Sequence, residues 1–183
     1  MEQRIKLKQQ VAEFIADKQF EELNSVAVLD VPKYMGVWYE IGTSFFVRLF
    51  IQTLCTCTKA EYTLNPDGTI KVFNSCRVLN ENGNLKTATG LAVQQNKLKP
   101  GQLTVSFDNM VSNKPNYYII HLDKENGEYK HALIGEPSRL FLWILSRTPK
   151  ISQSDYDRLL NIAVQNGFNI ESIRFRKTSQ NCD

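Results

Sequence analysis

Downstream of Asp30 the chain is a succession of short segments in which apolar and polar residues alternate, split by turn-forming residues. Trp38 to Ile41 follows Gly36, and Lys59 to Leu64 alternates with period two, the repeat of a half-buried strand. Asn65-Pro66-Asp67-Gly68 is a turn signal, with proline presetting φ and glycine accepting positive φ, and Thr69 to Asn74 returns as the partner strand. Further strands are expected at Ala88–Gln94, Gln102–Phe107, Tyr117–Leu122, Tyr129–Ile134 and Leu140–Leu145, with turns at Asn82-Gly83, Pro100-Gly101, Asn126-Gly127 and Glu136-Pro137. Eight strands in direct succession without helical crossovers predict an all-β antiparallel up-and-down meander, which loses its exposed edges by closing into a barrel.

Two stretches have another rhythm. Leu7, Val11, Phe14 and Ile15 recur at helical spacing, predicting a helix from Met1 to about Asn24. Tyr156, Leu159, Leu160, Ala163 and Val164 fall at i, i+3, i+4, i+7 and i+8, one apolar helix face. Ser152 or Ser154 serves as N-cap and Gly167 as the left-handed stop. That C-terminal helix has to bury its stripe against the outside of the sheet. A short strand-like piece, Ser172 to Arg176, follows it. The division is therefore an N-terminal helical extension, 1–28, and a barrel domain, 29–183.

Composition narrows the function classes. The 183 residues are 42% hydrophobic and 22% charged, with a net charge of +3, ordinary values for one domain with a core. Lys and Arg are dispersed, which argues against nucleic acid as a partner. Cys55-Thr56-Cys57 has one intervening residue rather than the two to four of a zinc site, and His121 and His131 lie in separate strands. No metal or cofactor is expected.

Alternation assigns faces. Lys59 and Glu61 belong in water, so Ala60, Tyr62 and Leu64 point inward. Lys71 belongs outside, so Ile70, Val72 and Asn74 point in. Leu103, Val105 and Phe107 share a face, as do Tyr117, Ile119 and His121. Phe141, Trp143 and Leu145 also share one, although alternation leaves its direction open. A barrel of about eight strands holds one small ligand. Polar Tyr62 and Asn74 on an apolar wall suit the orientation of such a ligand.

Tyr34 to Ile41 contains Gly36-Val37-Trp38-Tyr39-Glu40-Ile41 and resembles the Gly-x-Trp signature that opens lipocalin barrels. Tyr62 to Val72 looks like the following strands of those proteins. His131 to Arg139, running on into Leu140 to Pro149, is similar to a later block. Together, from about Leu29 to Ile170, these stretches resemble the subgroup that holds the bacterial outer-membrane lipocalins, the plant temperature-induced lipocalins and apolipoprotein D. The resemblance implies a closed-bottomed cup that binds and transports or stores a fatty acid, lysophospholipid, steroid or similar hydrophobic small molecule, without catalysis. It implies that Tyr62, Asn74 and Trp143 contact ligand; alternation adds Val72, Phe107 and Tyr117, and Phe141 joins as a partner on the Trp143 face. It further implies that Trp38 plugs the closed end beneath an arginine that follows the helix. Arg174 is the expected partner, with Arg176 as the other choice.

Phe45-Phe46-Val47-Arg48-Leu49-Phe50-Ile51 falls where lipocalins place the long first loop at the mouth. Phe45, Phe46, Leu49 and Phe50 form either a lid over the ligand or an anchor dipping into a membrane surface, with Arg48 near the headgroups.

Four cysteines, Cys55, Cys57, Cys76 and Cys182, fit disulfides and an extracytoplasmic compartment. Met1 to Arg4 leads into no apolar signal core, so either a signal has been removed or the chain does not enter the secretory route. Cys57 falls on the outer face, where the C-terminal tail must run, and pairs with Cys182; apolipoprotein D-like chains have a similar bridge. Cys76 falls inside and Cys55 outside, so a second bridge requires a bulge. A free inward Cys76 would instead permit a lipid isomerase like lipocalin-type prostaglandin synthase, which needs an activated thiolate. The third alternative is a protein- or membrane-interaction module built on the N-terminal helix and apolar mouth.

Overall fold

In a computed structural model the alternating segments form one antiparallel sheet that curls until its first strand meets its last. Residues 2–17, 20–108 and 111–182 are described. The strands are β1 (Gly36–Thr43), β2 (Cys55–Leu64), β3 (Ile70–Val78), β4 (Leu85–Val93), β5 (Gln102–Phe107), β6 (Tyr117–Glu125), β7 (Glu128–Gly135) and β8 (Leu142–Ser146). Each pairs with its neighbour in sequence, and β1 pairs with both β2 and β8. This is the eight-stranded closed barrel that alternation predicts. A ninth strand, β9 (Arg176–Lys177), lies outside against β1. The described residues form helices α1 (Glu2–Asp17), α2 (Val31–Tyr34), α3 (Phe45–Phe50) and α4 (Gln153–Gln165).

Helix α4 packs on the barrel exterior. Ser152 caps it by accepting from Asp155 N at 3.0 Å, and Gly167 ends it at φ +84°, the left-handed conformation that glycine adopts without strain. Tyr156, Leu159 and Ala163 are buried against Leu133, Leu142 and Ile144 on the outer faces of β7 and β8. Full burial of each aliphatic side chain stabilises the fold by ~1.5–3 kcal/mol. Val164, expected on the stripe, is exposed.

The N-terminal segment departs from expectation. The helix does not continue to Asn24, because the chain from Phe20 is irregular. Its backbone is engaged elsewhere: Arg139 donates to the carbonyls of Glu21 and Glu22, and Val26 N donates to Ile119 O at 2.8 Å. Leu23 is buried in the outer core. The side chains of Phe14 and Ile15, placed by the sequence on the apolar stripe, lie outside the described residues, as does Met1.

Two irregularities in the ladders move residues between faces. The β2–β3 register slips between Thr56 and Lys59, a bulge that reverses side-chain parity. Cys55 thereby joins Cys76 on the inner side, and the two form a disulfide with Cα atoms 5.5 Å apart. Cys57 stays outside and bridges Cys182 over a Cα separation of 6.0 Å. In β6 the register shifts between Ile119 and His121. His121 consequently does not share the inner face with Tyr117. It turns outward and binds Asp123, which also accepts from His131 and from Arg158 of α4.

Candidate ligand-binding cavity

The barrel floor is built from the entry into β1. Asp30 caps α2 by accepting from Lys33 N at 3.2 Å. Gly36, at φ +89°, turns the chain out of α2 and into the strand. Trp38 is fully buried, and its indole Nε1 donates to Tyr34 O at 2.9 Å. The guanidinium over its ring is that of Arg147, 3.8 Å from the centroid. Arg174, the expected partner, lies 5.6 Å from the Phe45 ring instead, and Arg176 pairs its backbone with Thr43. The correction follows from register. Ser146 pairs with Tyr39, so the next residue of the exiting strand, Arg147, falls beside Trp38. Arg147 also donates to the carbonyls of Lys33, Met35 and Val37, each at 2.8 Å, closing the base.

Above this floor lies a cavity of about 120 Å³, where ~10–15 Å³ suffices for one water. Its apolar wall includes Ala60, Ile70, Val72, Ala92, Leu103, Val105, Phe107 and Leu145. Tyr62, Asn74, Tyr117 and Trp143 line it as well. The face of β8 that alternation left undirected therefore points inward at Trp143 and Leu145. Phe141 does not reach the wall, because it precedes β8. It stacks on Trp143 with centroids 6.4 Å apart and an interplanar angle of 25°, and it meets Phe46 and Phe50 at the rim. Leu64, at the end of its strand, is exposed.

Three phenols meet at one end of the cavity. Tyr117 Oη is 2.7 Å from Tyr34 Oη and 3.1 Å from Tyr62 Oη. Burial raises all three: Tyr62 is pushed up to about 12, and Tyr34 and Tyr117 stand well above the usual tyrosine range. They remain neutral hydroxyls at physiological pH.

The rim is capped by α3, a short helix rather than a loop. Val47 and Leu49 are buried, whereas Phe45, Phe46 and Phe50 are half-buried and packed edge to face or tilted on one another and on Phe141. Arg48 ties the helix down by donating to Thr43 O and Arg174 O, each at 3.0 Å. Ile51 and Gln52, immediately after it, line the cavity.

The cavity wall also includes Tyr34, Glu40, Ile51, Gln52 and Thr58, which the sequence pattern did not assign to it. Glu40 is 3% exposed and lines the cavity; it shares strand parity with Trp38, and that signal was available. Thr58 shares strand parity with Ala60 and Tyr62 and was legible in the same way, whereas Ile51 and Gln52 follow α3, for which period-two alternation carries no signal.

The family profile of the lipocalin-like domain matches residues 29–178. The chain belongs to the lipocalin family. Temperature-induced lipocalin-1 of Arabidopsis thaliana is 36% identical over 163 residues, covering 87% of this chain and 84% of that protein. Outer membrane lipoprotein Blc of Escherichia coli K12 is 36% identical over 141 residues, covering 77% and 75%. Mouse apolipoprotein D is 32% identical over 154 residues, covering 79% and 74%. Among solved structures, insecticyanin from Manduca sexta superimposes with a TM-score of 0.66 at 18% identity, over 88% of this chain and 86% of that one. The cockroach allergen Per a 4 gives 0.62 at 18%, over 89% and 96%. At that identity the two structures speak for the fold alone.

The lipocalin barrel is able to enclose a hydrophobic small molecule. All four cysteines are bridged, so none of them supplies the activated thiolate that the isomerase alternative needs. The bridges also place the lipocalin in an oxidising, extracytoplasmic setting.

Proposed function

We propose that this lipocalin carries or stores a slender apolar ligand, a single acyl chain or a compound of similar section, between the tyrosine floor and α3. Tyr62, Asn74, Val72, Phe107, Tyr117 and Trp143 are its contacts, and Phe141 acts through Trp143. The observation that carries this reading is the apolar cavity itself, open between a floor sealed by Trp38 and Arg147 and a rim capped by phenylalanines. An acyl chain burying ~450 Å² gains ~11 kcal/mol at ~25 cal/mol per Å². Association costs of at least ~4 kcal/mol leave ~7 kcal/mol, a dissociation constant on the order of 10 μM.

The same rim supports a peripheral membrane location. Half-exposed Phe46, Phe50 and Ile51 stand beside Leu54, which is 59% exposed, and an apolar rim of this kind docks at a lipid surface. One relative, an outer membrane lipoprotein, agrees with that reading. The ligand is then collected from a bilayer while α3 lifts. Leu49, buried beneath α3, belongs to the lid and not to the membrane contact.

Native mass spectrometry of the purified protein tests the proposal. The expected result is a mass increment from a co-purifying apolar molecule, or from a fatty acid or lysophospholipid offered after delipidation. Failure to take up any of them contradicts it.

A further inference from the structure

One stretch of the cavity wall is polar and incompletely hydrogen-bonded. Glu40 projects from β1, and its Oε1 accepts from Thr178 Oγ1 of the C-terminal tail at 2.6 Å. Its Oε2 is buried without a partner. Gln52 Oε1, from the segment after α3, and Thr58 Oγ1, from β2, are also buried without partners. All three residues line the same cavity. They arrive there from three separate elements, so no single local strain accounts for them.

Among the described residues no ion pair neutralises the carboxyl. Burial acts most strongly on the carboxyl; against it, Thr178 of the tail and the Gln52 side chain hydrogen-bond to Glu40, and Arg48 of α3 acts through its charge. Arg48 directs Nη1 and Nη2 to the carbonyls of Thr43 and Arg174. Buried polar atoms in native proteins are nearly always satisfied, and exceptions call for an unseen partner. Here two of the three orphans, the carboxylate oxygen and the amide oxygen, are acceptors. Their missing partner is a donor.

We propose that Glu40, Gln52 and Thr58 form the head-group subsite of the cavity and select apolar ligands that end in a hydrogen-bond donor, a hydroxyl or an amine, over those that end in a carboxylate or ester. This rests on the binding function proposed above and names the ligand class. A carboxylate head has acceptors only and meets two further acceptors. An ester offers no hydrogen. A hydroxyl donates to Glu40 and accepts from Thr58, and an ammonium satisfies both acceptors and the charge. Burial in the apolar wall pushes the Glu40 carboxyl up to about 7, so the accepting, ionised form predominates at pH 8.

The test is isothermal titration of the disulfide-bonded protein at pH 8 with four ten-carbon ligands: 1-decanol, decylamine, methyl nonanoate and decanoate. The alcohol and the amine are expected to bind at least about tenfold more tightly than the ester and the acid, the span of one charge-assisted hydrogen bond. In Glu40→Leu that advantage falls below about threefold. Thr58→Val and Gln52→Leu, each expected to reduce the advantage partially, carry the same comparison should Glu40→Leu fail to fold. Equal affinity for the four ligands in the wild-type protein overturns the subsite, as does a donor preference that survives all three variants. Ester binding without donor preference defeats this inference alone; no binding of any of the four defeats it together with the binding function.

Discussion

Arg147 lies over the Trp38 indole and holds three backbone carbonyls at the closed end. A cation–π contact contributes ~0.5–2 kcal/mol and hydrogen bonds from a charged donor contribute more. Arg147→Ala is therefore expected to destabilise the barrel by about 2–4 kcal/mol in urea unfolding. Arg174→Ala, at an exposed position, should cost about 1 kcal/mol or less. Comparable losses in the two variants contradict the assignment. Glu40 makes a pH prediction. Its carboxyl sits at about 7 in the fold against 4.5 in the unfolded chain, so between these values only the folded state keeps the proton. Stability then falls as pH rises from about 4.5 to about 7 and levels off above, by on the order of 3 kcal/mol. Glu40→Gln should remove that slope, measured as urea midpoints at pH 5 and pH 8; an unchanged slope counts against a buried, unpaired Glu40. Asp123 has the opposite sign. Although burial opposes it, hydrogen bonds from His121, His131 and Arg158 hold its carboxyl well below the usual range, and its contribution is lost only as pH falls below about 4.

At the scale of elements, the C-terminal tail completes the barrel wall. The β1–β2 ladder runs only from Gly36↔Tyr62 to Tyr39↔Lys59. Beyond it Thr178 N donates to Ile41 O, and Cys57 N donates to Ser179 O. The Gln180 amide bridges Glu40 O and Thr58 O at 2.8 Å each. The Cys57–Cys182 bridge pins this insertion. Replacing both cysteines with serine should cost ~2–4 kcal/mol and speed amide exchange at Cys57Ser and Thr178. Unaltered exchange there would show that the tail holds without its bridge. Helix α3 carries the membrane prediction: Phe46→Asp should reduce flotation with phospholipid vesicles several-fold, and equal flotation leaves α3 as a lid only. Alternation made most strands legible, and the helical period gave α4 together with its cap and stop. It left the Cys55–Cys76 bridge conditional on a bulge and did not foresee the one that turned His121 outward, since a slipped register depends on the partner strand. Nor could it place α3, whose six residues are too few for a helical period to register.

On the scale of the whole molecule, closure of the sheet brings the exit of β8 against the start of β1 and the tail against β2. These long-range meetings create the floor, the head-group wall and the rim. Sequence pattern located the inward residues Tyr62, Asn74, Val72, Phe107 and Tyr117 because each lies within a regular strand. The resemblance misplaced Arg174, alternation misplaced Phe141, and neither reached Gln52; all three owe their positions to how elements meet. Trp143 stands on the cavity wall while Trp38 is sealed below it, so the two indoles separate the ligand space from the scaffold. The central claim is tested most directly by titrating the delipidated protein with a fatty acid and a lysophospholipid and following tryptophan emission, with Trp143→Phe as the control. A saturable change with a midpoint on the order of 10 μM, absent from the Trp143→Phe protein, is the predicted result; no saturable change with either lipid in the wild-type protein, or an equal change in the variant, contradicts a ligand seated in the cavity.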